Sequence, residues 1–182
     1  MAPGQEPGNA VDPASTPSPD AWRASAVTYE VFSRAAGLFL IVRPLVMLGL
    51  PEWLDLRPGL AADGFGRALL RDIARKMRVP DDDPVFALLA HDPSTDGLFK
   101  SGHLTAWRVG LDRWLRRRAR IKLTEVVRRS GWITASGESL SVRFRVDAAD
   151  LRLRRYALDI DPGWVSFLGF VMRYHYRDEP SG

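Results

Sequence analysis

Three histidines and a run of aspartates are the residues of this chain that could carry out catalysis or hold a metal. The histidines are His91, His103 and His175, and none stands at metal-ligand spacing from another histidine or a carboxylate. The carboxylates of the run 81–83 are adjacent, and adjacent carboxylates do not converge on one ion in an ordinary turn. We interpret the run as helix capping, with Asp83 as the cap and Pro84 as the first helical residue. The sequence therefore predicts no metal site.

Motifs of known enzyme active sites are missing from the sequence. It contains no Gly-x-Ser-x-Gly elbow, no phosphate loop and no complete dinucleotide fingerprint, because the pair Gly64 and Gly66 lacks a third glycine and a preceding strand. Asp159 and Asp161 flank a turn, and turn and capping roles explain them better than a catalytic carboxylate pair. The chain has no cysteine, which excludes disulfides, thiolate metal ligands and a cysteine nucleophile. We expect a protein that is not an enzyme and uses no cofactor.

Charge is distributed unevenly and points to binding rather than catalysis. Residues 1–100 carry 10 Lys/Arg and 13 Asp/Glu, a net charge of −3, whereas residues 101–182 carry 16 and 9, a net charge of +7. We expect the basic half to contact an acidic protein partner. The candidate partner-binding residues are arginines of one predicted helix and two predicted strands: Arg116, Arg117, Arg120, Arg143, Arg145 and Arg173.

Two other interpretations of these arginines stay open. Arginines at 116–118 and 120 could bind phosphates, which would suit a nucleic-acid-binding regulator. No clear helix-turn-helix or RNA-binding signature accompanies them. A run of charge is also typical of a solvated helix face that binds nothing.

The organisation of the chain follows from changes in composition and periodicity. Residues 1–20 contain five prolines and few large apolar groups, so we expect a disordered tail. Residues 21–122 are predicted to form a helical part of about four helices. Residues 123–182 are predicted to form a basic, antiparallel β-rich part with one short helix, packed with the helices as one domain. The predicted fold class is α+β.

The helical part is predicted from apolar residues at steps of three and four. Tyr29, Phe32, Ala36 and Leu40 share one helical face, and Pro44 is expected to end or kink that helix. The next helix carries four apolar residues and is predicted to begin at Asp63: Phe65, Leu69, Ile73 and Met77. A basic helix follows within residues 103–122, with an apolar stripe whose members we expect to be buried: Leu104, Trp107, Leu111, Trp114 and Leu115.

The β-rich part is predicted from alternation of apolar and polar residues. The apolar members of one strand are Leu140, Val142, Phe144 and Val146, and an earlier strand near residues 129–134 pairs with it as a hairpin. Asp147 is expected to cap a short helix. The last strand faces the core with Phe170, Met172, Tyr174 and Tyr176. Arg173 and His175 then point the other way and extend the basic face of Arg143 and Arg145.

Residues 35–54 form the most apolar stretch, AAGLFLIVRPLVMLGLPEWL. A membrane span needs about 20 apolar residues with few charges, whereas Arg43 and Pro44 interrupt this stretch near its centre. We therefore expect a core helix and no membrane span. Neither the basic start nor the apolar run of a secretory signal is seen, and the absence of cysteine fits a cytoplasmic protein.

The same stretch resembles a segment of contractile injection system tape-measure-type proteins, which has Ala-Gly-Leu, an apolar run, Pro-Leu and Leu-Gly-Leu. The similarity covers residues 34–54 and, through the basic strands, the Gly-Trp turn and the aromatic last strand, residues 130–176. It implies a structural or assembly-associated component of a phage-tail-like particle, and it assigns no catalytic or binding residue. A ruler would need a long heptad array, since each helical residue advances only about 1.5 Å, and this chain has none.

Overall fold

The structure, a computed structural model, describes residues 28–90, 99 and 101–178. The tail predicted to be disordered, residues 1–20, lies outside this part of the chain, as does His91. The described residues form an α+β fold, in which helices cover one face of a five-stranded mixed sheet.

The sheet has the strand order β1-β2-β3-β5-β4. Its strands are β1 (Tyr29–Ser33), β2 (Gly131–Ser136), β3 (Ser139–Arg145), β4 (Gly163–Val165) and β5 (Phe170–Arg177). Every neighbouring pair is antiparallel except β3 and β5, which are parallel. The hairpin of β2 and β3 confirms the predicted pairing of these two strands.

The prediction of a purely antiparallel sheet is wrong. Between β3 and β5 the chain passes through residues 146–169, which include a short helix and β4. Parallel neighbours require a crossover connection of a dozen residues or more, and this segment supplies one. Alternation of apolar residues predicts which face of a strand is buried, but it carries no information about strand direction.

The helices are short, apart from two. A 3-10 helix (Ala36–Ile41) precedes α1 (Val42–Met47), α2 (Leu50–Asp55), α3 (Pro58–Ala62), α4 (Phe65–Lys76), α5 (Pro84–Leu88), α6 (Ser101–Arg118), α7 (Leu123–Val127) and α8 (Leu151–Arg155). A second 3-10 turn (Val146–Ala148) follows β3. The predicted number of about four helices before residue 123 is therefore not confirmed.

A helix beginning at Tyr29 was also a wrong prediction, because Tyr29–Ser33 is strand β1. These residues pair with β2, about a hundred positions later in the chain. The segment YEVFS is rich in aromatic and β-branched residues, which suit a strand. The segment fits both the helical period and the two-residue period of a strand, and its long-range pairing with β2 selects the strand. Pro44 lies in the first turn of α1, where a backbone N–H has no partner within the helix. A proline, which lacks this N–H, therefore costs α1 no hydrogen bond.

One hydrophobic cluster joins the helices to the sheet. Phe39, Phe65 and Phe170, from the 3-10 helix, α4 and β5, are fully buried in it. On β3 and β5 the alternation is as predicted, with Val142 and Met172 among the residues turned inward. Val146 is the exception, because β3 ends at Arg145 and Val146 lies exposed in the 3-10 turn that follows. On α6 the buried residues are Leu111 and Leu115, whereas Trp107 and Trp114 are only partly buried against the cluster.

Of the three predicted helix caps, one is confirmed by the structure. Asp83 caps α5 as expected, and its carboxylate accepts the backbone N–H of Val85 at 3.1 Å. Asp63 does not cap α4, because the left-handed Gly64 precedes that helix. Asp147 lies in the 3-10 turn after β3, and Asp150 caps α8 instead.

Across the described ranges, every helix is too short or too polar to cross a membrane.

Candidate functional site

The face of the sheet opposite the helices carries aromatic and basic side chains that point to solvent. Strand pairing aligns Phe32, Trp132, Arg143 and His175 in one row across four strands. Successive side chains of a strand point to opposite faces, so these residues project away from the helices. We define the outer sheet face as Glu30, Phe32, Trp132, Thr134, Ser141, Arg143, Arg145, Trp164, Val171, Arg173, His175 and Arg177.

The aromatic part of the outer sheet face is unusually exposed. Phe32 is 48% exposed, Trp132 38% and Trp164 55%. Phe32 and Trp132 pack edge to face with ring centroids 5.4 Å apart. The guanidinium of Arg143 lies 6.0 Å from the centroid of Trp132, within the range of a cation–π contact. Phe32 and Trp132 form one exposed apolar pair, and Trp164 lies apart from it on the edge strand β4, opposite Val171. Exposed large apolar side chains on a solvent-facing sheet can mark a binding surface.

The basic part surrounds these rings. Arg145 pairs in register with Arg177, and Arg173 lies one row away, opposite Ser141. A depression of about 200 Å³ opens at the Arg145 end, between Trp132, Arg143 and Arg177, and one carboxylate, that of Asp178, also lines it. Two of the exposed rings, Phe32 and Trp132, line this hollow together with three of the arginines, so it could receive an acidic group together with an apolar one, whereas Trp164 and Arg173 lie outside it.

Carboxylates hold two of these arginines in place. Arg143 donates to Glu30 at 2.6 Å, and Arg145 forms an ion pair with Asp147 at 3.0 Å. The side chains of Arg173 and Arg177 have no hydrogen bond or ion pair among the residues placed by the structure, and both residues are exposed. Their charge is therefore available to a partner.

The arginines of the basic helix lie on the other side of the molecule. Arg116, Arg117 and Arg120 are exposed on and just after α6, which packs among the helices. Arg116 forms an ion pair with Asp112 at 2.7 Å. The six predicted partner-binding arginines thus do not share one face, because the sheet separates Arg143 and Arg173 from the helical layer.

Sequence reasoning missed the aromatic members of the outer sheet face. Phe32 was placed in a helical stripe, and Trp132 was not assigned to a face of its strand. A signal for Trp132 was present, since Gly131, Ile133 and Ala135 alternate as small or apolar inward residues and leave Trp132 pointing outward. Trp164 follows the left-handed Gly163, whose turn the sequence did predict.

The side chains considered for catalysis either make contacts within the fold or, in the case of His175, point to solvent. His103 packs against Trp53 with ring centroids 5.4 Å apart, and His175 is exposed on the outer sheet face. Asp159 accepts a hydrogen bond from Arg154 at 3.2 Å, and Asp161 accepts the backbone N–H of Tyr174 at 2.6 Å. Within residues 28–90, 99 and 101–178, no three His, Asp or Glu side chains are grouped as they would be around a metal ion.

An ionic cluster ties the ends of the sheet to the helices. Asp150 caps α8 and binds Arg152 at 2.9 Å and Arg129 at 2.6 Å, and Arg152 also reaches Glu125. The hydrogen bond from Arg152, with a further contribution from Arg129, lowers the pKa of Asp150 from 3.8 to about 2. The Asp150 side chain is only 14% exposed, so solvent screens these contacts incompletely.

Acid should therefore weaken the fold in a window set by Asp150. Its folded-state pKa lies below the unfolded one, so the stabilisation is fully present above 3.8 and is lost as the pH falls toward about 2. We expect a loss of about 1–2 kcal/mol over this window, and Asp150→Asn should remove this part of the pH dependence. Urea unfolding of both proteins at several pH values tests this. Asp81→Asn, an exposed carboxylate, is the matched control, and an equal change in both variants would contradict the assignment to Asp150.

Comparisons with protein-family models, with curated proteins and with solved structures found no match to this chain.

Proposed function

We propose that this protein is a non-catalytic adaptor or assembly-associated component that binds an acidic protein partner through its outer sheet face. The observation that carries the proposal is the combination of three exposed aromatic side chains with four arginines on a sheet face that no described element covers. Tryptophan and arginine are the residues that most often dominate the binding energy of protein interfaces. An apolar centre with a charged rim is also the usual anatomy of such interfaces.

The arrangement of charges favours a protein partner over nucleic acid. Arg143 and Arg145 already contact Glu30 and Asp147, so the surface carries both signs of charge. Carboxylates beside the arginines would repel a phosphate backbone, whereas a folded partner can match both signs. Phe32 and Trp132 also contact each other edge to face, which occupies part of the ring surface on which a base would stack.

Single-stranded nucleic acid is the second candidate. Exposed aromatic rings beside basic side chains on a sheet are also how some proteins bind single strands, by stacking and phosphate contacts. Trp164, at 55% exposure and without a ring partner among the described residues, favours this candidate most. Strong salt dependence of binding would accompany it, because phosphate contacts release counterions.

A charge-reversal experiment compares the two basic surfaces. We expect Arg173→Glu with Arg177→Glu to weaken binding of an acidic, leucine-containing peptide by about tenfold or more, since both guanidinium groups are exposed on the proposed site. Binding is measured by the shifts of the tryptophan indole resonances in NMR spectra. The resonances of Trp132 and Trp164 should move on titration, while that of the partly buried Trp107 should stay in place.

The matched control is Arg113→Glu with Arg117→Glu on α6, which makes the same change in net charge on the helical side. The affinity of this control should remain within about twofold of the wild-type value, because its arginines lie outside the proposed site. Long-range charge effects are equal in the two variants, so the difference between them reports local contacts. If the α6 variant alone lost binding, the helical arginines would be the site. Tighter, strongly salt-dependent binding of an oligothymidylate than of the peptide would support nucleic acid instead.

The resemblance to contractile injection system proteins extends the proposal to a particular assembly. We propose that the partner belongs to a phage-tail-like particle. Affinity purification of the tagged chain from its native cells tests this separately from the peptide experiment. Recovery of sheath and tube proteins by the wild type, and their loss in the Arg173 and Arg177 variant, would support it. Recovery of neither from either protein would exclude the particle without affecting the peptide result.

A further inference from the structure

A second basic site lies away from the outer sheet face, where the end of β1, the turn after α4 and the end of α7 meet. A surface cavity of about 250 Å³ opens there. Its lining consists of three arginines and three apolar residues: Arg34, Ala35, Arg78, Val79, Pro80 and Arg128. No carboxylate lines it.

Hydrogen bonds fix the backbones of Arg34 and Arg78 and the guanidinium group of Arg128. The backbone N–H of Arg34 donates to Asp83 at 3.0 Å. Arg128 donates from Nε and Nη2 to the carbonyl of Met77 at 3.2 and 3.0 Å, which fixes its guanidinium and leaves its other N–H groups for a ligand. Arg78 closes the end of α4, with its N–H on the carbonyl of Arg75.

Arg78 also has an unfavourable backbone conformation. Its φ is 56°, in the left-handed region where glycine is the usual residue at a helix end. An arginine at such a position costs more than a glycine, but Arg120 and Ala157 adopt the same conformation, so the strain alone does not mark a site.

No carboxylate lines the cavity, although the exposed Asp81 and Asp82 follow the lining residue Pro80 in the chain. Asp83 is buried, and its oxygens already accept hydrogen bonds from Ser33, Arg34 and Val85. Among the placed residues, the side chains of Arg34 and Arg78 have no ion pair or hydrogen bond. Arginines that line one cavity with an apolar floor can offer several N–H donors to the same oxyanion, and guanidinium groups bind such anions with paired hydrogen bonds.

We infer that this cavity binds a phosphate-sized oxyanion, either free phosphate or the phosphate group of a larger molecule. The volume is below the range of about 300–1,000 Å³ that whole drug-sized ligands occupy, so the site fits the oxyanion rather than an entire nucleotide. The inference is independent of the proposed protein partner, because none of the lining residues belongs to the outer sheet face.

The test compares two arginines with nearly the same backbone conformation. Arg78→Gly removes a cavity guanidinium, and Arg120→Gly removes an exposed arginine with a φ of 57° that does not line the cavity. Both replacements suit a left-handed backbone, so both variants should fold. Phosphate affinity is measured by calorimetry and by the rise in melting temperature in phosphate relative to chloride at equal ionic strength.

We expect inorganic phosphate to stabilise the wild type and the Arg120 variant, and the Arg78 variant to bind it about tenfold or more weakly. A larger response to pyrophosphate or ribose 5-phosphate than to inorganic phosphate would identify a phosphate group on a larger molecule as the ligand. The inference is overturned if the wild type responds equally to phosphate and chloride. Equal phosphate responses in the two glycine variants would overturn it as well, since that would mean general screening of a basic surface.

Discussion

Replacement of Gly37 by alanine is expected to lower the free energy of unfolding by about 3 kcal/mol or more, at the upper end of overpacking effects. A Cβ atom at this position would lie 1.9 Å from the carbonyl oxygen of Val126 and 2.9 Å from the Cβ of Arg129. The 3-10 helix and α7 meet there backbone to backbone, and the Gly37 N–H donates to the Arg129 carbonyl at 2.9 Å. Because the obstruction is main chain rather than a flexible side chain, the two helices must move apart.

Denaturant unfolding of the purified variant measures this effect. Gly110→Ala is the matched control, since Gly110 is exposed in the interior of α6 and its added Cβ would meet nothing within 4 Å. That variant should gain about 1 kcal/mol, because alanine has the higher helix propensity. Similar stabilities of the two alanine variants would show that the contact of the 3-10 helix with α7 is looser than the structure describes.

Loss of the Asp83 carboxylate is expected to cost about 2–4 kcal/mol. Asp83 is only 7% exposed, and it accepts the Ser33 hydroxyl at 2.7 Å, the Arg34 N–H at 3.0 Å and the Val85 N–H at 3.1 Å. Asp83→Ala removes the cap of α5 and leaves these donors buried without their acceptor. The carboxylate thus joins the end of β1 to α5, two elements fifty residues apart.

Thermal and urea unfolding of Asp83→Ala test this role. The neighbouring Asp82→Ala, an exposed carboxylate, should change the free energy of unfolding by less than about 0.5 kcal/mol. Asp83→Asn should fall between them, since its amide retains one acceptor oxygen but presents a donor where the carboxylate accepts. An Asp83→Ala variant as stable as the Asp82 variant would refute a structural role for the hydrogen bonds of Asp83.

Patterns of nearby residues predicted the strand faces, the helix and the helix start that depend on contacts close in the chain. Alternation correctly gave the inward residues within β3 and β5, because a strand with one buried face must repeat every second residue, but it extended β3 one step too far, to Val146. The four-residue steps from Phe65 to Ile73 correctly predicted α4. Asp83 and Pro84 were correctly assigned as the start of a helix. The Asp83 carboxylate accepts a free backbone N–H of the first turn, and Pro84 has no N–H that would need a partner.

Other features were decided by contacts between distant residues. Tyr29–Ser33 became a strand through pairing with β2, although its spacing also suited a helix. The parallel direction of β5 depends on the crossover formed by residues 146–169. The close approach of Gly37 to Val126 depends on how two helices pack, and no pattern around Gly37 encodes it.

The candidate sites also depend partly on local sequence patterns and partly on contacts between distant residues. The amino-acid sequence by itself determined that the basic charge lies in residues 101–182, and that Arg173 and His175 face away from the aromatic side of the last strand. Only the tertiary structure decided that Arg143 and Arg173 join Phe32, Trp132 and Trp164 on one open face, while Arg116 and Arg117 lie on the helical side. Only the tertiary structure brings Arg34, Arg78 and Arg128 around one cavity. The physical reason is that periodicity assigns each side chain to a face of its own element, whereas strand order and helix packing determine which faces meet.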